Sequence, residues 1–194
     1  FLDGGEVALI LGDNIFYGEG MSAKLQKANK NNQGATIFAY QVNNPKDYGV
    51  VQFDSQKKAI SLEEKPSTPK SNFAVTGLYF FDSNVGELVK ELKPSERGEL
   101  EITDLNRLYL EQNLLTVEVF SRGAAWLDTG QQEALLEAAN FVRIVEQRQG
   151  LKIGCPEEAA HNMGYIDAEQ LTRLAIPLMK SGYGEYLVRI ANAG

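Results

Sequence analysis

The sequence predicts an α/β protein in which a mixed β-sheet is followed by a helical appendage at the carboxyl end. Two observations support this prediction. Short runs of β-branched and aromatic residues, separated by polar turns, dominate the first two thirds of the chain. From Pro156 onward, apolar residues recur at helical spacing and are interrupted by glycines. We therefore expect an α/β domain over residues 1–150 and a helical appendage over residues 151–194.

The first strand is expected at residues 7–11, where the apolar run VALIL ends in a Gly-Asp-Asn turn. Such a run is typical of a parallel-sheet strand covered on both faces, although a buried helix segment has the same pattern. A helix follows at about residues 22–32, because Ser22 is a candidate cap and Asn-Asn-Gln-Gly ends the pattern. β-Rich runs bounded by polar turns then predict strands at 35–42, 48–54, 59–65 and 73–82.

The second half of the chain alternates helical and β patterns. Thr103 is expected inside a turn rather than at a helix cap, and AWLDTG, residues 125–130, forms a second acid-and-turn element. Apolar periodicity predicts helices at 84–93, 101–113 and 131–149 and a short strand at 115–120. Two or three short helices complete the chain, with breaks expected at Gly164, Gly182 and Gly184.

Composition narrows the possible partners. The chain has 194 residues, of which 43% are hydrophobic, enough for a substantial core. A net charge of −7 disfavours a nucleic acid polymer or an anionic membrane as partner, whereas a small phosphate ligand is compatible with local cations or a metal ion. No segment has the length of a membrane-spanning helix. Cys155 is the only cysteine, which predicts a buried hydrophobe in a cytoplasmic protein.

Two aspartates, Asp13 and Asp128, each follow an apolar strand-like run and precede a turn. Because strand ends face the ligand crevice of open α/β sheets, both carboxylates are candidates for one site. Mg²⁺ prefers two such carboxylates together with phosphate and water oxygens. The alternative is ordinary turn chemistry, in which Asp and Asn bond to their own backbone.

Lys65 is a candidate fixed cation, since it follows two acids and precedes a proline. We expect that proline to hold the backbone of Lys65 extended. The commoner alternative is a solvated charge cluster before a turn.

Five segments, in this order and spacing, resemble the sugar-nucleotide pyrophosphorylases. They are LILGDNIFYG, DYGVVQFD, LEEKPSTPKSNFAVTGLYFFD, RGELEITDLN and WLDTG, and together they extend the resemblance over nearly the whole chain. The resemblance implies a Rossmann-like nucleotidyltransferase fold with a mixed β-sheet. Residues 1–150 would then be part of the nucleotidyltransferase domain, and residues 151–194 its helical appendage.

The resemblance also implies residue roles. Mg²⁺ would be held by Asp13 and Asp128, and Lys65 would meet the sugar phosphate. Arg97 would supply a second phosphate contact. The remaining roles are Asn14 near the sugar nucleotide, Tyr48, Gly49 and Tyr79 lining the sugar pocket, Glu64 bonded to sugar hydroxyls, and backbone from Val75 to Gly77 touching the sugar.

The implied reaction is attack by a phosphate oxygen of glucose 1-phosphate on the α-phosphorus of dTTP, with pyrophosphate leaving in line. Such a transfer depends on electrostatics and positioning more than on an acid–base pair. Family members are usually homotetramers, and the same state is expected here.

Two features of the family pattern have no counterpart in the sequence. The glycine-rich GxGTRLxP-type loop that holds nucleotide phosphates does not occur in these 194 residues. We therefore expect the amino-terminal part to be missing and the chain alone to be inactive. His161 and Asn162 occupy a neighbourhood where family members often carry a basic residue in a regulatory nucleotide site, so the sequence does not determine whether end-product regulation is retained. A helix-surface role is the simpler interpretation of His161.

Two other classes compete with this interpretation. Asp-Thr-Gly at residues 128–130 matches aspartic proteases, but only one such motif is present, so a homodimer would be required. A glycosyltransferase, or a non-catalytic sugar-nucleotide-binding protein, could use the same acids.

Overall fold

The computed structural model describes residues 2–95 and 98–193 and shows the mixed α/β architecture that the sequence predicts. Two compact units are present, Phe1–Leu135 and Leu136–Gly194. The strands are β1 Val7–Ile10, β2 Asn14–Gly18, β3 Ala35–Gln41, β4 Gly49–Phe53, β5 Ala59–Glu64, β6 Phe73–Phe81, β7 Leu115–Val119 and β8 Ala124–Asp128. The helices are α1 Met21–Lys30, α2 Val85–Glu91, α3 Ile102–Glu111, α4 Gln132–Gln149, α5 Pro156–Asn162, α6 Ala168–Ala175 and α7 Gly182–Ala191, with a 3₁₀ turn at Ile176–Leu178.

The main sheet has the strand order β5-β4-β6-β3-β7, and β1 pairs with β6 beside this path. Only the β3–β7 pair is parallel within the described sheet; the other pairs are antiparallel. The prediction of a mixed sheet is therefore confirmed. The expectation that β1 is a parallel strand covered on both faces is wrong, because β1 pairs antiparallel with β6 and its Leu9 and Ile10 are exposed. A continuous apolar run does not encode the direction of the partner strand. The central strand β6 is rich in β-branched and aromatic residues, which suit a strand with neighbours on both edges.

A separate two-stranded ribbon joins β2 to β8, with Asn14 opposite Asp128. β2 was not predicted, because Asn14 and Gly18 are typical turn residues and the partner strand lies more than a hundred positions away. Long-range pairing of this kind leaves no local periodicity in so short a segment. The ribbon matters for the site because it brings the two turn-flanking aspartates to the same end.

Apolar side chains cover both faces of the main sheet. One face packs against α2 and α3 through Ile37, Val51, Tyr79, Phe81 and Tyr109, all buried. The other face packs against α1 through Ala28, Phe38, Leu78, Phe80 and Phe120. Full burial of a large apolar side chain stabilises the fold by about 1.5–3 kcal/mol, so these layers set the position of the strand ends.

Two expectations about helix starts are wrong. Ser22 does not cap α1, which begins at Met21 after Gly20, and no side chain bonds to the first turn. Gly20 has φ +70°, a left-handed conformation that glycine adopts without steric cost, so the chain enters the helix through backbone geometry alone. Thr103 lies inside α3 and is buried, whereas a turn was expected, because the helix begins at Ile102.

The second unit has its own small core, built from Cys155, Leu171, Ala175, Tyr186, Leu187 and Ala191. Cys155 is buried, as expected for a small hydrophobe. Asp167 and Gln170 form a reciprocal capping box that begins α6. The domain boundary expected after residue 150 stays a prediction.

Of the three expected glycine breaks, only Gly164 is a break, with φ +73° after α5. Gly182 and Gly184 lie in the first turn of α7, so these two expectations are wrong. A Cβ on Gly184 would lie 2.5 Å from the Leu178 carbonyl carbon. Glycine is therefore required there by close backbone packing rather than by a helix break. No helix in the described ranges combines the length and apolarity needed to span a bilayer.

Candidate nucleotidyl-transfer site

The turn between β1 and β2 holds Asp13 at the end of the ribbon. Asn14 N donates to the Leu11 carbonyl at 3.1 Å, which closes a tight turn over Gly12 and Asp13. Both the backbone N and the hydroxyl of Thr129 donate to the Asp13 carbonyl, each at 2.8 Å. The position of Asp13 is thus tied to the turn after β8.

The carboxylates of Asp13 and Asp128 approach the same point. Gly130 N donates to Asp128 Oδ1 at 3.0 Å. A Cβ on Gly130 would lie 3.3 Å from Asp128 Oδ1 and 3.4 Å from Asp13 Oδ2. The structure therefore brings Asp13 and Asp128 together, as their positions at strand ends predict.

Among the residues that the structure describes, these two carboxylates accept hydrogen bonds from neutral groups only. In the described ranges, no Lys or Arg forms an ion pair with Asp13 or Asp128. Two like charges side by side disfavour each other unless a cation lies between them. Within the same ranges, no group of three or more His, Cys, Asp or Glu is arranged to hold a metal ion. A cation at this point would need further oxygen ligands from a bound molecule or water.

Beside the aspartates, a cavity of about 180 Å³ opens between β4, β5, β6 and α3. Its lining includes every site residue that the sequence predicts except Asp13 and Arg97. Arg97 lies outside the described residues. The predicted residues that line the cavity are Asn14, Tyr48, Gly49, Glu64, Lys65, Val75, Tyr79 and Asp128.

Thr103 also lines this cavity and contacts Glu64, although the sequence analysis did not name it as a site residue. Its hydroxyl donates to Glu64 Oε2 at 2.5 Å, and its side chain is 3% exposed. A Cβ on Gly49 would lie 3.0 Å from the Thr103 hydroxyl and 3.3 Å from Glu64 Oε2, so glycine keeps this end of the cavity open. The available signal was a hydroxyl residue on the first turn of a helix. Because Thr103 was expected inside a turn, it was not considered as a site residue.

The backbone of Lys65 is not extended, so that expectation is wrong. Its φ is +39°, in the left-handed region, even though Pro66 follows. Lys65 N donates to the Tyr48 carbonyl at 3.0 Å, which continues the β4–β5 pairing one residue beyond Glu64. For a residue with a Cβ this conformation costs about 1–2 kcal/mol, and such strain concentrates at functional sites. The Lys65 side chain is exposed at the mouth of the cavity.

Two tyrosines supply neutral hydroxyls to the cavity wall. Burial raises the pKa of Tyr79 well above its usual range, and the Glu64 carboxylate adds to the shift. Burial also raises the pKa of Tyr48, as do the charges of Asp128 and Asp47. Both hydroxyls therefore stay protonated at neutral pH and can donate hydrogen bonds to a polar ligand.

Trp126 and Asn14 connect the cavity to the aspartates. The Trp126 indole Nε1 donates to Asn14 Oδ1 at 2.6 Å, and Gly77 N donates to the same oxygen at 2.9 Å. Asn14 Nδ2 donates to Asp13 Oδ1 at 2.8 Å. The resemblance implied a sugar contact for the backbone from Val75 to Gly77, but it did not predict the bond from Gly77 N to Asn14, and no role was predicted for Trp126.

Known proteins with similar sequences include two named glucose-1-phosphate thymidylyltransferase. The chain is 54% identical over its 194 residues to the glucose-1-phosphate thymidylyltransferase of Xanthomonas campestris pv. campestris (strain B100), and it spans 66% of that relative. It is 58% identical over 184 residues to the enzyme of the same name from Mycobacterium tuberculosis (strain CDC 1551 / Oshkosh), covering 95% of this chain and 64% of the relative. The chain thus spans slightly less than two thirds of these relatives.

Solved structures show the same fold. A Bacillus anthracis protein, assigned as a glucose-1-phosphate thymidylyltransferase and crystallised with a sucrose, aligns with a TM-score of 0.64 at 40% identity. That alignment covers 74% of this chain and 56% of the other. A UDP-glucose pyrophosphorylase complexed with UDP-glucose aligns with a TM-score of 0.62 over 72% of this chain and 57% of its own, and at 24% identity it supports the fold alone.

A family model described as nucleotidyl transferase matches residues 1–144, which include both aspartates and the whole cavity lining. Because the match extends over most of the chain, the aspartic protease alternative is no longer needed to explain the Asp-Thr-Gly segment. The chain belongs to the nucleotidyl transferase family.

Proposed function

We propose that the protein transfers a thymidylyl group from dTTP to glucose 1-phosphate, giving dTDP-glucose and pyrophosphate. The observation that carries the proposal is the meeting of Asp13 and Asp128 beside a cavity lined by Tyr48, Glu64 and Lys65. The names of relatives that are 54–58% identical supply the choice of nucleotide and sugar.

We propose that Mg²⁺ binds at Asp13 and Asp128. The donor set fits, since both groups are carboxylates that face one point and Mg²⁺ takes oxygen ligands, commonly one or two carboxylates with phosphates and water. Bound there, the ion would neutralise phosphate charge and orient the reacting groups. The lack of a third acidic ligand in the described ranges agrees with a site completed by substrate.

Each cavity residue then contacts a different part of the sugar phosphate. Lys65 at the mouth pairs with the phosphate, and Glu64 accepts hydrogen bonds from sugar hydroxyls. Neutral Tyr48 and Tyr79 donate hydrogen bonds or pack against the ring. Gly49, like the backbone at Val75, lets the sugar approach the sheet closely. Arg97 is proposed as a second phosphate contact on the family resemblance alone.

In the proposed step, an oxygen of the sugar phosphate forms a bond to the α-phosphorus of dTTP. The bond from that phosphorus to the bridging oxygen breaks, and pyrophosphate leaves with the electron pair. The attacking oxygen is already anionic at neutral pH, so no general base is required. The protein contributes alignment and positive charge, which dominate phosphoryl-type transfers.

The test uses the chain extended with the family's amino-terminal glycine-rich segment, called here the extended protein, beside the 194-residue chain. Pyrophosphate release is measured with dTTP or UTP and with glucose 1-phosphate or glucose 6-phosphate at saturating Mg²⁺. We expect release only with a sugar 1-phosphate, and dTDP-glucose as the product. The expectation that the 194 residues alone are inactive stays a prediction.

A glycosyltransferase would instead release dTDP from dTDP-glucose in the presence of an acceptor, without pyrophosphate. A non-catalytic binding protein would hold dTDP-glucose and turn over neither substrate pair. Either result in the extended protein would overturn the proposal. The geometry of the aspartate pair favours neither alternative over nucleotidyl transfer.

We also propose a cytoplasmic homotetramer. The single Cys155 is compatible with a reducing compartment, and family members usually assemble as tetramers. Light scattering of the extended protein at several concentrations measures the assembly directly, and a monomer at all concentrations would contradict it.

A further inference from the structure

The side-chain amide of Asn14 has a single possible orientation. Two neighbours, the Trp126 indole N–H and the Gly77 backbone N–H, are donors only, and both point at one atom of the amide. That atom must be the oxygen, so the NH₂ group faces Asp13, to which it donates at 2.8 Å. The amide is thus held at its oxygen, and one of its two N–H groups donates to a carboxylate.

We propose that Asn14 is a positioning residue that fixes the orientation of the Asp13 carboxylate, and that Trp126 and Gly77 act through Asn14. The inference rests on the proposed function insofar as Asp13 holds Mg²⁺. It differs from the role that the family resemblance implies for Asn14, a place next to the sugar nucleotide.

The hydrogen-bond capacity of Asn14 limits that other role. Two donors already occupy the lone pairs of Oδ1, so this oxygen has no capacity left to accept from a sugar hydroxyl. Only the second N–H of the amide remains for a ligand. Orientation of Asp13 therefore accounts for more of the observed contacts than substrate recognition does.

The surroundings of Gly77 show how closely the Asn14 amide packs against β6. A Cβ on Gly77 would lie 2.7 Å from Asn14 Oδ1 and 2.8 Å from Leu11 Cδ1, distances that real Cβ atoms do not show. Glycine in the middle of a strand normally weakens it and marks a close approach. Here the close approach is that of Asn14, so the central strand β6 carries a glycine where the amide needs space.

The test uses the 194-residue chain, in which Trp126 is the only tryptophan. Mn²⁺ binding without substrate is measured by electron paramagnetic resonance for the parent chain and for Asn14→Ala, Trp126→Phe and Tyr40→Phe. We expect about tenfold weaker binding in Asn14→Ala and a smaller loss, about threefold, in Trp126→Phe, since a hydrogen bond to a charged group is the stronger of the two. Tyr40→Phe is the matched control, because Tyr40 packs on Trp126 but bonds to the Ala124 carbonyl.

A second measurement reports on the hydrogen bond itself. The single indole N–H resonance of Trp126 should lose its protection from solvent exchange in Asn14→Ala and keep it in Tyr40→Phe. Thermal unfolding of each variant shows whether it is folded, and the nuclear magnetic resonance signal is read only from folded chains. Unchanged exchange in folded Asn14→Ala would overturn the positioning role.

Asp13→Asn and Asp128→Asn separate the two proposals. If these variants bind Mn²⁺ like the parent chain, the proposed metal site itself fails. If they lose binding while Asn14→Ala and Trp126→Phe keep it, the metal site stands and the positioning role of Asn14 is overturned.

Discussion

The two ends of the cavity are built differently. At one end, here the aspartate end, Asp13 is exposed, Asp128 is half-buried, and the two negative charges face each other without a basic partner among the described residues. At the other, the glutamate end, Glu64 already accepts from the buried Thr103, and the fully buried Tyr79 stands beside it. Both ends belong to the same unit and line one cavity.

The two ends of the cavity contribute differently to ligand binding. The glutamate end is held in place before any ligand arrives, because Glu64 already accepts a hydrogen bond from the buried Thr103. The aspartate end needs a bound cation, because two carboxylates that face each other repel unless a cation lies between them. We therefore expect substitutions at the aspartate end to affect turnover most, and substitutions at the glutamate end to affect affinity and stability.

The largest expected effect comes from breaking the aspartate end. Asp13→Asn or Asp128→Asn in the extended protein should each lower kcat by roughly a hundredfold or more, since a charged metal ligand contributes several kcal/mol to the transition state. Removing one of two repelling charges should leave the unfolding temperature unchanged or higher. Steady-state kinetics and thermal unfolding check the two parts, with Asp3→Asn as a charge-matched control. Near-parent activity in either variant would remove that aspartate from the site.

Lys65 is an exposed residue of the cavity lining, and a pair of variants separates its charge from its backbone strain. Lys65→Ala and Lys65→Gly should both lower kcat/KM for glucose 1-phosphate by roughly 10- to 150-fold, as expected for losing a hydrogen bond to a charged group. Lys65→Gly should be more stable than Lys65→Ala by about 1 kcal/mol, because glycine adopts φ +39° without strain. Urea denaturation measures the difference. Equal stability would show that the left-handed backbone is not strained.

The pH dependence of the free energy of unfolding tests the burial of Tyr79 at the glutamate end. The pKa of Tyr79 is raised above the ordinary value of 10.0, chiefly by burial, so the unfolded chain loses this proton first as the pH rises. The free energy of unfolding should therefore be independent of this group below about pH 9 and fall above pH 10, by up to about 1.4 kcal/mol per pH unit. The pKa values of Tyr109, Tyr183 and Tyr186 are also raised, chiefly by burial, so Tyr79→Phe should lower the total slope in urea denaturation between pH 9 and 11.5 by the share of one tyrosine. The exposed Tyr165→Phe is the control, and an unchanged slope in Tyr79→Phe would contradict the assignment.

The smallest effect is expected at Glu64. Glu64→Gln keeps the shape of the side chain but weakens its acceptance from sugar hydroxyls, so KM for glucose 1-phosphate should rise about fivefold with little change in kcat. Glu63→Gln is a close control, since Glu63 is the preceding residue of β5 and bonds to Lys70 at 2.6 Å. A fall in kcat without a rise in KM would place Glu64 with the reacting groups instead of the sugar.

The order of most elements was predictable from local sequence pattern, whereas most of the cavity residues were predicted only by the family resemblance. Strands β1 and β3–β7 follow local apolar and β-branched patterns, and the acid-and-turn signals marked Asp13 and Asp128 before any coordinates. Local pattern is enough for such features, because burial of one face and turn chemistry are both written within a few neighbouring residues.

Only the tertiary structure decided the contacts that join distant segments. It paired β2 with β8, placed Thr103 against Glu64 and seated Asn14 between Gly77 and Trp126. It also overturned the extended backbone expected for Lys65, because the bond to the Tyr48 carbonyl overrides the preference of a residue before proline. These features depend on groups 17 or more positions apart in the chain, and no local periodicity or propensity encodes which distant donor will meet a given acceptor.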